Sequence, residues 1–502
     1  MAAGHGPGEG HDLPSAVGPG SAMTVDEALA RGDQWFTHGW LDAARECWQQ
    51  VVAMEGGAFQ QAVAWDNLGK VAARRGRWED AADAFRRALI ILPGDDTEGR
   101  MRIAMHQALV WGQTGQTDLA YRQLWQLTHE ATAVSPRLHT LLGLNLAAVQ
   151  IDYDYPHQAI ATLHAVAQHW APEDEQRYGY FWHTNLGVCY VALHQWDDAN
   201  RHLEAALSCA PSRDRQGPVL VERALAAFYR GDVLASLADA QRALQIMWDH
   251  WLTWEADEWA RLSVVFARAA DTLGESTLAR RFEDVAQTLY GQLGQWQAWR
   301  RVRSDITPHG AVMAIDHTAL VAELRRAVQW METLFALDIV WPQASYIAEV
   351  RNHAAQAVAE HAQWSDAQRG ALATACRLAD FGLTAIDPLA RDNPHRSPGA
   401  WQQYRQHPWL SCQLLAPLGL NHDVLDTIAY HHEQPDGKGF PAGRTASEIP
   451  EAAAIYAVAD AYAQGTLTAG HTSTWKQLQS LAGTQLDARW VSVLERIFAT
   501  IA

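Results

Sequence analysis

His431-His432-Glu433-Gln434-Pro435-Asp436-Gly437-Lys438-Gly439-Phe440-Pro441 is the stretch on which the reading of this 502-residue chain turns. Two adjacent imidazoles meet a tight, Gly-rich turn with two carboxylates beside them, in a segment with no packing need for any of these groups. Neutral imidazole is the commonest side-chain metal ligand, and paired His with nearby carboxylates suits first-row divalent ions. A plainer reading of Glu433 and Asp436 is that they serve the turn made by Gly437 and Gly439.

Working outward, further ligand types lie on separate predicted helices. Glu349 and His353 stand four apart and so share a helix face. Asp380 follows an apolar helix over 371–378. His407 sits in Tyr404-Arg-Gln-His-Pro408, ahead of an amphipathic helix. His431 and His432 close a helix over 424–430. Asp460 lies inside an Ala-rich helix over 452–463, where a buried carboxylate needs a partner. Each residue alone has an ordinary structural explanation. Their order and spacing carry the signal.

That order resembles the HD-GYP family, bacterial hydrolases of cyclic di-GMP. The matching elements are HHE-x-x-DG-x-G followed by an aromatic and a proline, Glu349-x-x-x-His353, Asp380, His407, His431-His432 and Asp460. The similarity runs from about residue 347 to the end and includes Gln485-Leu-Asp-Ala-Arg-Trp490. It implies a helical bundle in which Glu349, His353, Asp380, His407, His431, His432 and Asp460 hold iron or manganese, with Asp380 bridging. Zinc and nickel stay open from the ligand types. It also implies a phosphodiesterase in which metal-activated water attacks phosphorus, with Asp380, His431 and His432 as catalytic groups. Asp436, Gly437, Gly439, Lys438 and Arg444 are the expected substrate contacts. For Lys438 the competing reading is a solvent-exposed turn lysine.

The chain departs from that pattern in ways that bear on mechanism. Ala379 stands where the family has its defining His, Leu383 where it has a Lys, Gln356 where an Arg usually follows the first His, and Ala463 where it has a second Asp. Residues 465–475 contain no arginine. Phe440 replaces the tyrosine of the family name. Loss of one imidazole strips part of the shell of at least one ion, and one or two ions are expected. The resemblance therefore implies a cyclic di-GMP signalling domain that is weakly active or inactive. Full phosphodiesterase activity is the alternative, and an interaction protein binding nothing at this end is the plainest reading.

The first half follows a different logic. From 24 to 297 it repeats with a period of about 34 to 40 residues. The clearest unit carries Trp65, Leu68, Gly69, Ala72, Gly76, Ala81, Phe85, Ala88 and Pro93. Leu186, Gly187, Tyr190, Ala199, Leu203, Ala206 and Pro211 recur at the same offsets. These spacings resemble the tetratricopeptide repeat: small residues let antiparallel helices approach, large ones fill the gaps, and proline ends the second helix. About seven units are expected. Their groove suits a protein or peptide partner, and the simpler role is to space or dimerise the other half.

The expected organisation is thus all-α: a disordered tail (1–23), a tetratricopeptide helical-hairpin solenoid (24–297), a linker (298–317) and an HD-type metal-binding helical bundle (318–502). The acidic excess, 57 Asp and Glu against 39 Lys and Arg, argues against a nucleic-acid polymer or anionic membrane as partner. A cyclic dinucleotide would need a local basic spot. Five cysteines without CxxC pairing fit reduced thiols in a cytoplasm. No apolar run is long enough to span a bilayer.

Overall fold

The computed structural model describes residues 23–54, 56–130, 135–168, 170, 172–249, 256–303, 317–340 and 344–501. The expected tail, and all but the ends of the expected linker, lie outside these residues. The described residues are mainly helical, with no strand among them. They fall into two units. Those of Met1–Ala30 and Trp48–Ile315 form one, and those of Arg31–Cys47 and Asp316–Ala502 form the other.

The first unit is a solenoid of helical pairs: Ala58–Arg74 with Trp78–Ile91, Thr97–Gln113 with Thr117–Glu130, Pro136–Asp152 with Pro156–Ala167, Pro172–Ala192 with Trp196–Ser208, Gln216–Tyr229 with Val233–Asp249, and Ala256–Thr272 with Ser276–Gln292. Within each pair the chain reverses through one left-handed residue, at Gly76, Gly115, Asp154, His194, Gly231 and Gly274 respectively. Small residues set the helix spacing. A Cβ on Gly69 would fall 2.5 Å from the Phe85 ring, and one on Gly187 would fall 2.5 Å from Leu203. Ala62, Ala81 and Ala88 in the first pair, and Ala199 and Ala206 in the fourth, are fully buried. The repeat pattern is therefore a contact pattern, in which each small residue is met by a large one from the facing helix.

The second unit is built around the Ala344–His361 helix, which packs on Glu451–Leu481 and on Asp366–Leu378. Both helices of the first contact are rich in buried alanine, Ala354, Ala355 and Ala359 on one and Ala454, Ala459 and Ala463 on the other. Ser365 and Gln368 form a capping box that starts the Asp366–Leu378 helix, satisfying donors that the first turn leaves open. After it, a 3-10 turn over Ala379–Ala385 carries Asp380. The shorter helices His407–Leu415 and His422–Tyr430 follow, and then a loop leads to Glu451.

Residues 31–47, read from sequence as part of the repeat region, group with this second unit. Trp40 is 4 % exposed and meets the rings of His353 (4.6 Å), Phe498 (4.8 Å) and Tyr462 (5.5 Å), each edge-on. The Tyr346 hydroxyl donates to the Asp42 carboxylate at 3.0 Å. Among the described residues no helix is long and apolar enough to cross a membrane.

Candidate metal centre

Four ligand-type residues converge in the second unit: Asp380, His407, His431 and His432, each with a ligand atom within 4.8 Å of the others. Local structure delivers each of them. Gly382 N donates to Ser411 Oγ at 2.7 Å, and Ser411 Oγ donates to the Ala379 carbonyl at 2.6 Å. These two bonds tie the turn carrying Asp380 to the helix that begins at His407. Gly382 must be small, because a Cβ there would lie 2.2 Å from the His407 carbonyl oxygen. His431 caps the His422–Tyr430 helix, and His432 stacks on Phe440 with ring centres 4.5 Å apart.

The hydrogen bonds fix the tautomers. His407 Nδ1 lies 2.7 Å from the Tyr404 carbonyl, and His431 Nδ1 lies 2.6 Å from the Ile428 carbonyl. A carbonyl only accepts, so both Nδ1 atoms carry protons and both Nε2 atoms present lone pairs. Those two Nε2 atoms face each other at 3.3 Å, and they lie 3.6 and 3.9 Å from Asp380 Oδ1. His432 Nε2 is buried with no hydrogen-bond partner. Acceptors gathered in this way repel one another unless a cation lies among them, and a divalent ion fits this nitrogen and oxygen set. Burial, with smaller effects from neighbouring charges, pushes His407 and His431 down to about 4. Both are therefore neutral and ready to ligate near pH 7.

Asp380 is held by its other oxygen. Burial opposes its ionisation, but the Arg351 guanidinium outweighs that and keeps its carboxyl below the usual range. Arg351 is 2 % exposed, and all three of its nitrogens face acceptors. Nη2 reaches Asp380 Oδ2 at 2.8 Å and Asp460 Oδ1 at 2.6 Å, Nε reaches Asp460 Oδ1 at 2.8 Å, and Nη1 reaches the Cys376 carbonyl at 3.0 Å. The Tyr456 ring lies 4.7 Å away, against the guanidinium face.

Three further expected ligands, Asp460, Glu349 and His353, are not among these four. Asp460 is engaged by Arg351 and is not one of the four. Glu349 and His353 stand outside the cluster as well, and the His353 ring packs against Trp40. Ala379 is fully buried and its side chain offers no donor, while Leu383 is core. Gln356 reaches the Arg369 carbonyl at 3.0 Å, tying its helix to the next.

In the loop, Glu433 is 2 % exposed and accepts from the backbone of Ala442 (2.7 Å) and Arg444 (2.8 Å). It therefore shapes the turn. Asp436 Oδ1 accepts from Lys438 N at 3.1 Å, and Gly437 adopts φ 76°, a conformation that favours glycine. A Cβ on Gly439 would strike Gln434 N at 2.4 Å. The Arg444 guanidinium covers the Tyr430 ring at 3.6 Å and donates to the Glu448 carbonyl, so it is committed within the loop. The Lys438 side chain is 81 % exposed and lies 3.3 Å from Asp436.

Sequence reasoning did not reach Arg351. The signal available was its register: Ile347, Arg351, Ala354, Ala355 and Val358 form one apolar stripe, and a charge inside such a stripe needs buried partners.

Comparison with known proteins bears on both units. The family described as HD domain matches residues 320–489, and the tetratricopeptide repeat family matches residues 62–95. No curated protein sequence matches the chain. Among solved structures, a tetratricopeptide repeat protein from Parabacteroides merdae shares 15 % identity over 61 % of this chain and 98 % of its own, with a TM-score of 0.37. The apo quorum sensor NprR from B. thuringiensis shares 12 % identity over 60 % of this chain and 87 % of its own, at 0.40. MamA MSR-1 C2 shares 18 % identity over 37 % of this chain and 96 % of its own, at 0.27. The chain thus carries an HD domain at residues 320–489 and a tetratricopeptide repeat at residues 62–95.

Proposed function

We propose that the HD domain is an HD-GYP-like signalling module that holds iron or manganese, binds a cyclic dinucleotide such as cyclic di-GMP and turns it over slowly or not at all. The repeat solenoid would carry its state to a protein partner in a bacterial cytoplasm. The observation that supports this reading is the meeting of Asp380, His407, His431 and His432 beside an arginine that engages the neighbouring carboxylates.

A divalent ion at that cluster would acidify a bound water and offset charge on a phosphodiester. The chain's own residues contribute the rest. The carbonyls of Tyr404 and Ile428 hold the two imidazoles in the ligating tautomer. Phe440 fixes the plane of His432. Lys438 presents an exposed ammonium on the same loop, where it can reach a phosphate. Arg444 is already spent on Tyr430 and Glu448, which reduces the phosphate-binding capacity of the loop and favours slow or no turnover.

The test is cyclic di-GMP turnover and binding by the full chain, loaded anaerobically with Fe²⁺ or Mn²⁺, with His431→Ala/His432→Ala as control. Binding without product supports the reading. Linear dinucleotide or GMP at an ordinary enzymatic rate, abolished in the control, would make this an active phosphodiesterase instead. Neither binding nor product would remove the cyclic dinucleotide from the account.

A further inference from the structure

The geometry points to Arg351 as a built-in cation shared by Asp380 and Asp460, which limits this centre to a single divalent ion held by Asp380 Oδ1, His407, His431 and His432. The inference rests on the metal-binding part of the function proposed above and goes beyond it by fixing the number of ions and the residue that sets that number.

Three observations carry it. First, the guanidinium bridges a buried carboxylate and a partly buried one, with Nη2 at 2.8 Å from Asp380 Oδ2 and 2.6 Å from Asp460 Oδ1. A guanidinium is planar, always charged and donates in fixed directions. Here its surroundings suit it: two carboxylates and the Cys376 carbonyl face its nitrogens, and its central carbon lies over the Tyr456 ring. A hydrated metal ion has no use for an aromatic face at that place, whereas an arginine is stabilised by one.

Second, Asp380 divides its two oxygens. Oδ2 belongs to Arg351, and Oδ1 looks toward His407 and His431. A bridging carboxylate thus exists, but one of its two cations is covalently part of the chain. The arginine is tethered to the Ala344–His361 helix, so a free ion competing for the same oxygens meets a rival of very high effective concentration. It would also meet like-charge repulsion at short range in a poorly screened interior.

Third, the charge of the group leaves no room for a second ion. Asp380 and Asp460 supply at most two negative charges, Arg351 supplies one positive, and the three imidazoles are neutral ligands. One divalent ion already takes this group from one net negative charge to one net positive. A second would leave a large excess of positive charge in a buried site, with no further carboxylate in the cluster to offset it. Ala379, whose methyl side chain faces the core, adds no donor for a second ion either.

The consequence for function is direct. A mechanism that clamps both the attacking and the leaving oxygen needs two metal ions, and Arg351 occupies the carboxylates a second would use. Arg351 is a positioning residue here: it orients Asp380 and sets the charge of the site.

The experiment is anaerobic Mn²⁺ titration of the metal-stripped full chain, with bound metal counted by mass spectrometry and its electron paramagnetic resonance spectrum recorded. The expected wild-type result is one equivalent of manganese with the six-line signal of an isolated ion. Arg351→His and Arg351→Ala, checked for native helicity, should rise to two equivalents, with loss of that signal through spin coupling. Arg351→Lys retains a cation and should stay at one. Two coupled ions in the wild type would overturn the inference whether or not the variants fold, and would leave the metal reading intact. A folded Arg351→Ala that still takes one ion would also overturn it. No bound manganese in the wild type would bring down the metal reading itself, so the two failures are distinguishable.

Discussion

Arg351 and Asp380 are joined by a buried charged hydrogen bond, Nη2 to Oδ2 at 2.8 Å, while the opposite oxygen of the same carboxylate faces His407 Nε2 at 3.6 Å. One side chain therefore links the structural core of the domain to its candidate metal centre. Removing Arg351 leaves the buried Asp380 and the partly buried Asp460 without their cation. Truncating one partner of a buried ion pair typically destabilises by about 3–5 kcal/mol. Arg351→Met should lower the stability of the metal-free C-terminal unit by that order in urea unfolding. Added Mn²⁺ should restore part of the loss, because an ion can then neutralise the orphaned carboxylates. A loss within experimental error would mean that the network contributes little.

The ligands and the neighbouring helix pair can be told apart by affinity. Loss of a group that merely supports a metal ligand commonly lowers affinity about 10–100-fold, and loss of a ligand should do at least as much. His407→Ala and His431→Ala should therefore weaken Mn²⁺ binding by 100-fold or more. Glu349→Gln should change it by less than about threefold, since Glu349 lies outside the four-residue cluster. Calorimetric titration of the three variants checks this. A large effect at Glu349 would return the first helix pair to the metal shell.

Much of the centre is legible in the chain because its ligands cluster at sequence features with local meaning. His431 and His432 end a helix at a Gly-rich turn, His407 starts a helix, and Asp380 follows one. Arg351 is not legible in the same way. Its partner Asp460 is 109 residues distant, and an arginine two residues after a glutamate ordinarily reads as a solvated charge. The solenoid is legible from Gly and Ala spacing, since those residues sit where helices touch. Nothing local reveals that residues 31–47 group with the HD-domain unit. The turn at Gly39 is left-handed like those of the repeats, and the rings that surround Trp40, with the Tyr346–Asp42 hydrogen bond, give a different destination.

Trp40 supplies the third prediction. Its indole is buried among His353, Tyr462 and Phe498, so truncation leaves a large cavity. Such changes cost about 3–5 kcal/mol. Trp40→Ala should lower the unfolding midpoint of the HD-domain unit and leave that of the solenoid unchanged, as read by hydrogen exchange at peptides from each unit. Equal protection of the HD-domain peptides in both proteins would refute the assignment of residues 31–47.

Gly382 tests the scaffold that aligns two ligands. A methyl group there would meet the His407 carbonyl at 2.2 Å and Ser411 N at 2.7 Å, both backbone atoms that cannot swing away. Gly382→Ala should force the Asp380 turn from the His407 helix, at about 1–3 kcal/mol of overpacking. Metal affinity should fall together with stability. Ser411→Ala, which removes only the hydroxyl bridge to Ala379 and Gly382, should show the same direction with smaller amplitude. Unchanged Mn²⁺ affinity in both would separate the scaffold from the site.

Acid stability of the solenoid should depend on His202. Burial pushes its imidazole down to about 4, with the His183 and Arg201 charges adding to the effect and Asp198 opposing it. Its Nδ1 lies 2.9 Å from His183 Nδ1, so one ring donates and the other accepts. That bond survives only while at least one ring stays neutral. The unfolded chain takes up the proton near the ordinary value of about 6.5, while the folded chain resists it down to about 4. The folded state therefore binds fewer protons across that interval, and stability must decline as pH falls. The contribution of neutral His202 is complete above about 6.5 and is lost progressively toward about 4. His202→Gln removes the titrating group while retaining a polar side chain able to face His183. In paired urea unfolding curves at pH 7.5 and pH 4.5, the wild type should lose more stability on acidification than the variant. Equal losses would show that the pair titrates as it does in water and that burial at this position is without consequence.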